Sequence, residues 1–376
     1  MRVSLLVPFL ALFACKGKDS EPVDGSCAQP LAVVSKTASS TGSLAHVTFQ
    51  IPSGTRSFLL TATSRDGGYA YVSDVTDPSG ADPVDAATWL SGTRFLSGGI
   101  MALGDELVFN WPARASDGPL QPGQWTVGLQ ALSSSGSPAS ESSFDVTLQL
   151  NRDWDLQTGC LSVRVIQAPS VADDPALTAA VRAAVEGWKD IYAQVGISLE
   201  PVFERSELLP DNLDEPARGS ATYEALKGDG AEEDLVVVVG ETIGGSGTIL
   251  GEAGSIPGPL SPSTRGVVAV GWLLEAGTDG VLDPGDIDAM GQTMAHEVGH
   301  YLGLFHPIEL DGYGNPSGYS DALDDTPACS SASSCQASLG QNLMYPYQLC
   351  NGTGCEIQDQ LTGQQGGVMQ RYTGTR

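Results

Sequence analysis

At 376 residues the chain has room for two ordinary domains, each with its own buried core. Hydrophobic residues make up 41% and charged residues only 17%, with 46 glycines, a balance that excludes a disordered chain and indicates a globular, loop-rich one. A net charge of -27 excludes the basic surface that a phosphate backbone requires, so nucleic acid is not an expected partner; it suits solubility outside the cell, and a few of the carboxylates are candidates for Ca2+.

Arg2 followed by the apolar run Val3 to Ala14 reads as a targeting segment, too short to span a bilayer and outside the fold. It ends in Leu12-Phe13-Ala14-Cys15, which resembles the lipobox of bacterial lipoproteins, where cleavage precedes the cysteine and that cysteine carries the lipid. Residues 1–14 are therefore expected to be a lipoprotein-type signal and Cys15 the lipidated mature N-terminus, with an ordinary secretory signal as the alternative. The expected location is extracytoplasmic: an outer-membrane or cell-surface lipoprotein held only by its lipid, or a secreted protein.

Cysteine arithmetic agrees with that reading. Seven cysteines would leave one thiol unpaired in an oxidising compartment; with Cys15 acylated, six remain. Cys27 and Cys160 bracket the N-terminal half, while Cys329, Cys335, Cys350 and Cys355 crowd near the C-terminus. Two or three disulfides are expected, with pairing left open, and two of them are expected to brace the C-terminal region. A structural zinc site is the alternative use of the last four, disfavoured by the lack of Cys-x-x-Cys spacing.

Residues 15–27 form a polar tether. From 28 to 155 the chain alternates with period two: Val47, Phe49 and Ile51; Leu107, Phe109 and Trp111; Trp125, Val127 and Leu129; Phe144, Val146 and Leu148. Turn clusters such as Asp77-Pro78-Ser79-Gly80 separate these runs, which predicts an all-β sandwich. Helix-length periodicity and His/Asp/Glu clusters are both missing there. His46, at a strand start, reads as a surface residue.

The pattern changes over 160–376. Val163 to Ile166 reads as a strand, and Asp174-Pro175 supplies an N-cap and a proline at the first helical position. Leu177, Val181, Ala184, Val185, Trp188, Ile191, Tyr192 and Val195 follow at helical spacing, and Gly196 ends that helix. Ile197 to Phe203, Leu235 to Val239 and Gly266 to Trp272 read as strands. Asp283-Pro284-Gly285-Asp286 then caps a second helix, with Ile287, Met290, Met294, Val298 and Leu302 on its apolar face. This is an α+β arrangement, a mixed twisted sheet with the chemistry on the last helix.

That helix carries His296 and His300, four apart and so projecting from one side, with Glu297 beside them. Gly303 breaks the helix and lets the chain return His306 as a third ligand. Three protein ligands leave one open position, which marks a catalytic Zn2+ site. The full pattern His-Glu-x-x-His-x-x-Gly-x-x-His fixes five positions and should arise by chance in such a chain on the order of once in 10⁵.

This pattern resembles the metzincin zinc metalloproteases, in their pappalysin-like branch. Metzincins place a methionine-bearing turn beneath the metal, and Asn342-Leu343-Met344-Tyr345-Pro346 fits it. Leu250-Gly251-Glu252-Ala253 with Pro257 is similar to that branch's edge strand, and Arg265-Gly266-Val267-Val268 to the strand before the motif helix. Asp325-Thr326-Pro327 with Cys329, and Leu361-Thr362-Gly363-Gln364, resemble its later landmarks. Several branches carry a tyrosine two residues past the turn methionine as a transition-state stabiliser. Here Pro346 stands at that position, as in a matrixin-like turn, and Tyr347 is the nearest candidate.

The resemblance implies a metalloendopeptidase with Glu297 as general base and His296, His300 and His306 on one Zn2+. Polypeptide substrates would lie extended along the edge strand near Leu250 to Ile256. The alternative from another class is a surface adhesin or binding protein with a vestigial metalloprotease domain.

Overall fold

Alternating apolar residues commit the first part of the chain to strands with one buried face. In the computed structural model, the described residues are 27, 32–102, 104–151, 156–214, 220–228, 235–245, 248–259, 267–351 and 354–373. The expected signal segment, Cys15 and the tether before Cys27 lie outside them. No helix among the described residues is long and apolar enough to cross a membrane.

The strands of the first part are β1 (Ala32–Ser40), β2 (Leu44–Ile51), β3 (Ser57–Ser64), β4 (Tyr69–Thr76), β5 (Arg94–Phe95), β6 (Glu106–Trp111), β7 (Gly123–Leu132) and β8 (Ser142–Asn151). Strands β1, β8, β3 and β6 form one antiparallel sheet, in that order, and β2, β7 and β4 form another. The inner faces share a core in which Phe58 meets Phe49 and Trp125 edge-on, with ring centroids 5.4 and 5.8 Å apart. Along β2, Ala45, Val47, Phe49 and Ile51 are buried while His46, Thr48 and Gln50 are exposed, as the alternation predicts. The helix α1 (Ala86–Ser91) was not legible in the sequence: six residues are too few to show a helical period.

The second part begins with β9 (Gly159–Gln167), α2 (Pro169–Ala172), α3 (Pro175–Ala193) and β10 (Ile197–Arg205). It continues through β11 (Asn212–Leu213), α4 (Ala221–Gly228), β12 (Leu235–Gly240), β13 (Thr242–Ile243), β14 (Gly251–Ala253) and β15 (Val267–Gly271). Helices α5 (Trp272–Glu275) and α6 (Pro284–Tyr301) follow. The main sheet runs β10-β9-β12-β15-β14; its first four strands are parallel and the edge strand β14 is antiparallel to β15.

Helices α3 and α6 cover one face of this sheet, with Trp188 and Tyr192 fully buried in the shared core. The Tyr192 hydroxyl donates to the Ala295 carbonyl of α6 at 2.8 Å. Both helices start as their residues predict. Asp174 accepts from the Ala176 and Leu177 amides ahead of Pro175, and Asp283 and Asp286 form a reciprocal capping box.

After α6 come β16 (Ser320–Asp321), α7 (Ala332–Leu339), β17 (Cys350–Asn351), β18 (Gly354–Cys355) and α8 (Gly363–Thr373). The stretch 307–342, which lacks apolar periodicity, is thus not irregular throughout. Ser331 caps α7 by accepting from Ser334, and the Cys329–Cys335 disulfide ties the helix to the chain before it. Cys350–Cys355 closes the β17–β18 turn, and Cys27–Cys160 joins the N-terminal end to β9. The last four cysteines therefore pair two and two, which removes the structural zinc alternative.

The two parts meet along a continuous seam. Strand β6 is buried on both faces: Leu107 and Phe109 lie in the β core, while Val108, with Leu59 of β3, joins the core of the α/β part. Strand β5 pairs in parallel with β16, and Arg94 donates to the Asp321 and Leu323 carbonyls. The Tyr372 hydroxyl of α8 donates to the Pro112 carbonyl, and the Ser57 hydroxyl to the Arg371 carbonyl.

Asp321 sits on this seam, 3% exposed, and accepts from the Thr326 hydroxyl and the Leu323 amide. Burial pushes its carboxyl up to about 6, against those hydrogen bonds and the attraction of Arg94. A raised folded pKa means the folded chain holds this proton more tightly than the unfolded one. The associated stability is full below the ordinary value near 3.8 and is lost as pH rises through about 6. Urea unfolding of the wild type between about pH 4 and pH 7 should show this loss, up to about 3 kcal/mol. Asp321→Asn, neutral throughout, should show a correspondingly flatter dependence.

Candidate metal centre

Helical geometry sets the first two candidate ligands one turn apart on α6. The His296 and His300 ring centroids are 4.7 Å apart. The helix then ends through hydrogen bonds from Gly303 N–H to the His300 carbonyl and from Leu304 N–H to the Gly299 carbonyl. Gly303 has φ +102°, a conformation open to glycine, and a Cβ there would lie 3.2 Å from Asn110 Nδ2. This turn sends the chain back so that His306 Nε2 lies 3.1 Å from His300 Nε2 and 3.3 Å from His296 Nε2.

Each ring's other nitrogen has its own acceptor. His296 Nδ1 is 2.6 Å from the Leu343 carbonyl, His300 Nδ1 is 2.6 Å from the Leu304 carbonyl, and His306 Nδ1 is 3.0 Å from Glu309 Oε1. A carbonyl oxygen can only accept, so Nδ1 of His296 and His300 carries the proton and Nε2 presents a lone pair. Burial, with repulsion from His306, lowers His296 to about 3 and puts His300 well below its ordinary value. Lone pairs converging at 3.1–3.3 Å repel unless a cation lies between them. Nitrogens at 2.0–2.1 Å from a tetrahedral centre are about 3.3 Å apart, so the donor set fits zinc.

Glu297 faces the cleft next to these rings. The atoms packed around it still push its carboxyl up to about 8, chiefly by burial, against a hydrogen bond from the Ala253 backbone. Edge strand β14 therefore touches the carboxylate directly, and a Cβ at Gly251 would fall 2.5 Å from Glu297 Cγ. Met344 is fully buried, and its sulfur lies where a Cβ at Gly299, the neighbour of His300, would come within 2.7 Å. The Asn342 side chain accepts from the Met344 amide, fixing the turn whose Leu343 carbonyl holds His296.

The remaining expected residues fall as follows. Tyr347 lines the cleft beside His296 and Glu297 but is 45% exposed, and its hydroxyl donates to the Leu310 and Asp311 carbonyls. Tyr345 is buried with Ile308 and Leu339. Asp325 accepts from the Thr362 hydroxyl and the Gln364 amide, so the two later landmarks meet at the start of α8. Arg265 and Gly266 lie outside the described residues.

The cleft holds about 230 Å³ and is lined by Gly251, Thr293, Glu297 and Gln348 among others. A larger hollow of about 700 Å³ beside α7 touches none of the imidazoles and has no part in this chemistry. Among the described residues, the other grouping with metal-ligand spacing is Cys27, Cys160 and Glu200, whose sulfurs are spent in a disulfide. No carboxylate cluster suited to Ca2+ occurs among them, so the calcium expectation has no support. Sequence reasoning missed Leu343, Leu304 and Glu309 as ring partners, because two act through backbone carbonyls that any residue supplies.

Residues 282–375 match the family model described as pregnancy-associated plasma protein-A. An extracellular metalloprotease of Pyricularia oryzae is 39% identical over 90 residues, which cover 21% of this chain and 29% of that protein. The chain thus spans under a third of that relative's length. Metalloproteinase-II from Bacteroides fragilis overlays at TM-score 0.29 and 12% identity, covering 48% of this chain and 60% of that one. A TM-score this low establishes no shared architecture.

Proposed function

With its segment 282–375 that of a pappalysin-like metalloprotease, we propose that this chain is a zinc-dependent endopeptidase acting on extracytoplasmic proteins. The observation that carries the reading is the convergence of three imidazoles beside Glu297, with His306 Nε2 3.1 Å from His300 Nε2 and 3.3 Å from His296 Nε2. His296, His300 and His306 would hold the ion through Nε2, each ring fixed in tautomer and tilt by its Nδ1 partner. Zinc bound there supplies a Lewis acid that polarises a carbonyl and lowers the pKa of water to about 7.

Every other step belongs to the chain's own residues. Glu297 takes a proton from the attacking water as its oxygen bonds to the scissile carbonyl carbon, and returns it to the amine nitrogen as the C–N bond breaks. Strand β14, last in the sheet among the described residues, lies alongside Glu297 and suits an extended polypeptide that adds as a further strand. Met344 supports the rings from below. Tyr347, tied by its hydroxyl to the 310–311 backbone, serves as part of the cleft wall.

The all-β part over 28–155 is read as a sandwich domain preceding a peptidase domain over 160–376. Location outside the cytoplasm is supported by the disulfides and by the extracellular relative. Lipid attachment at Cys15 is supported by Leu12-Phe13-Ala14-Cys15 and by the pairing of all six other cysteines.

Glu297→Ala is expected to retain zinc while casein hydrolysis falls by about 10²–10⁴-fold. His306→Ala should instead lower the zinc content of the purified protein, and chelation should abolish wild-type activity. Near-normal cleavage by Glu297→Ala, or cleavage indifferent to chelator, would remove the assignment. For the anchor, metabolic labelling with a fatty acid should tag the wild type and leave Cys15→Ser untagged; equal labelling of both refutes lipidation at that cysteine.

A further inference from the structure

The third candidate ligand stands on a loop, and the support for that loop comes from the other half of the chain. His306 follows Phe305 directly, and the Phe305 ring lies 5.3 Å from Phe95 of β5. Phe95 also stacks on Tyr319, with ring centroids 5.6 Å apart and 5° between the ring planes. Tyr319 in turn accepts the amide of Glu309 at 2.8 Å, and Glu309 is the partner of His306 Nδ1. One side chain therefore touches both Phe305, the residue before the imidazole, and Tyr319, whose backbone carbonyl holds the amide of the residue that carries the carboxylate.

Strand β5 is itself anchored. It pairs with Ser320–Asp321, and Arg94 beside Phe95 donates to the Asp321 and Leu323 carbonyls. Just after it, Gly98 N–H donates to the Ile256 carbonyl at 2.9 Å, and a Cβ at Gly98 would collide with that oxygen. Asn110 of β6, fully buried, comes close to Gly303, the residue that turns the chain toward His306. The helix fixes the backbone of His296 and His300, whereas a loop residue gains its precision only from what packs on it.

We propose that Phe95 is a positioning residue for the third metal ligand, so that the N-terminal β layers form part of the metal centre. This rests on the reading of His306 as a ligand. Loss of the Phe95 ring leaves Phe305 and Tyr319 without their shared neighbour, and His306 then samples orientations in which Nε2 leaves the point of convergence. Metal affinity falls although every ligand and every Nδ1 partner is still present.

The test uses the full chain with Zn2+ and Co2+ as probes. Phe95→Ala is expected to weaken Zn2+ binding by about 10–100-fold in competition with a chromophoric chelator, the range typical of lost ligand support. Its Co2+ complex should show altered visible absorption bands. Phe95→Tyr, which keeps the stacked ring, should restore both readouts. Phe144→Leu, a core change in β8 away from the loop, should lower the unfolding midpoint without changing either. If Phe95→Ala does not fold, Phe95→Leu takes its place under the same expectations. Wild-type affinity and an unchanged Co2+ spectrum in the ring-less variant, with His306→Ala losing the metal, overturn the proposal and leave the ligand assignment standing. If His306→Ala binds as tightly as wild type, the ligand reading itself is wrong. Equal loss of affinity in Phe144→Leu also overturns the proposal, since the effect would then follow stability alone.

Discussion

Three imidazoles can aim lone pairs at one point only if each ring spends its other nitrogen elsewhere. In this chain the acceptors are two backbone carbonyls and one carboxylate: Leu343, Leu304 and Glu309. Each comes from a different piece of structure, and much of the C-terminal architecture follows from presenting them. The Met344 turn delivers the first, the helix-ending turn at Gly303 the second, and the 305–309 loop the third. Buried polar groups held this way leave little rotational freedom, and burial outweighs the hydrogen bonds to keep the His296 and His300 rings in the neutral form that a divalent cation requires.

The support of these pieces is layered. Asn342 exchanges hydrogen bonds with Gln365 of α8, and α8 packs Val368, Met369 and Tyr372 into the same core as Met344. The Cys329–Cys335 disulfide holds α7, whose Leu339 lies with Ile308 and Tyr345 beneath the loop. Disulfides of such short span act locally, on the conformations open to the loop before it packs. The 307–362 region has few apolar residues of its own, so these fixed points do the work that a larger core does elsewhere.

Much of this was legible in the residues. The strand runs showed themselves because their burial is one-sided, the helices α3 and α6 because caps and apolar faces agreed, and the motif because helical spacing puts ligands four apart on one side. What stayed hidden is of one kind. Leu59 and Val108 look like residues on the outer face of a strand, and only the second part of the chain explains their burial. The Leu343 and Leu304 carbonyls carry no residue signature. The partners of each cysteine, and the meeting of Phe95 with Phe305 and Tyr319, depend on chain paths that join residues far apart in sequence. The division into two domains was drawn from a change in pattern, and patterns describe elements, while seams are made by pairs.

A catalytic metal centre carries a constraint that a structural one does not: it must keep a position open, so it cannot be made rigid by adding a fourth protein ligand. Two ligands on a helix share its stiffness. The third, reached through a glycine turn, sits at the weak end of the set, and the stiffness it lacks has to come from packing. The motif's own neighbours provide some of this, through Glu309 at His306 Nδ1. The rest comes across the seam, from aromatic and backbone contacts contributed by a strand about two hundred residues earlier. A chain that folds its first part into two sheets with both faces of one sheet covered has, in the same act, built the wall against which the third histidine is held.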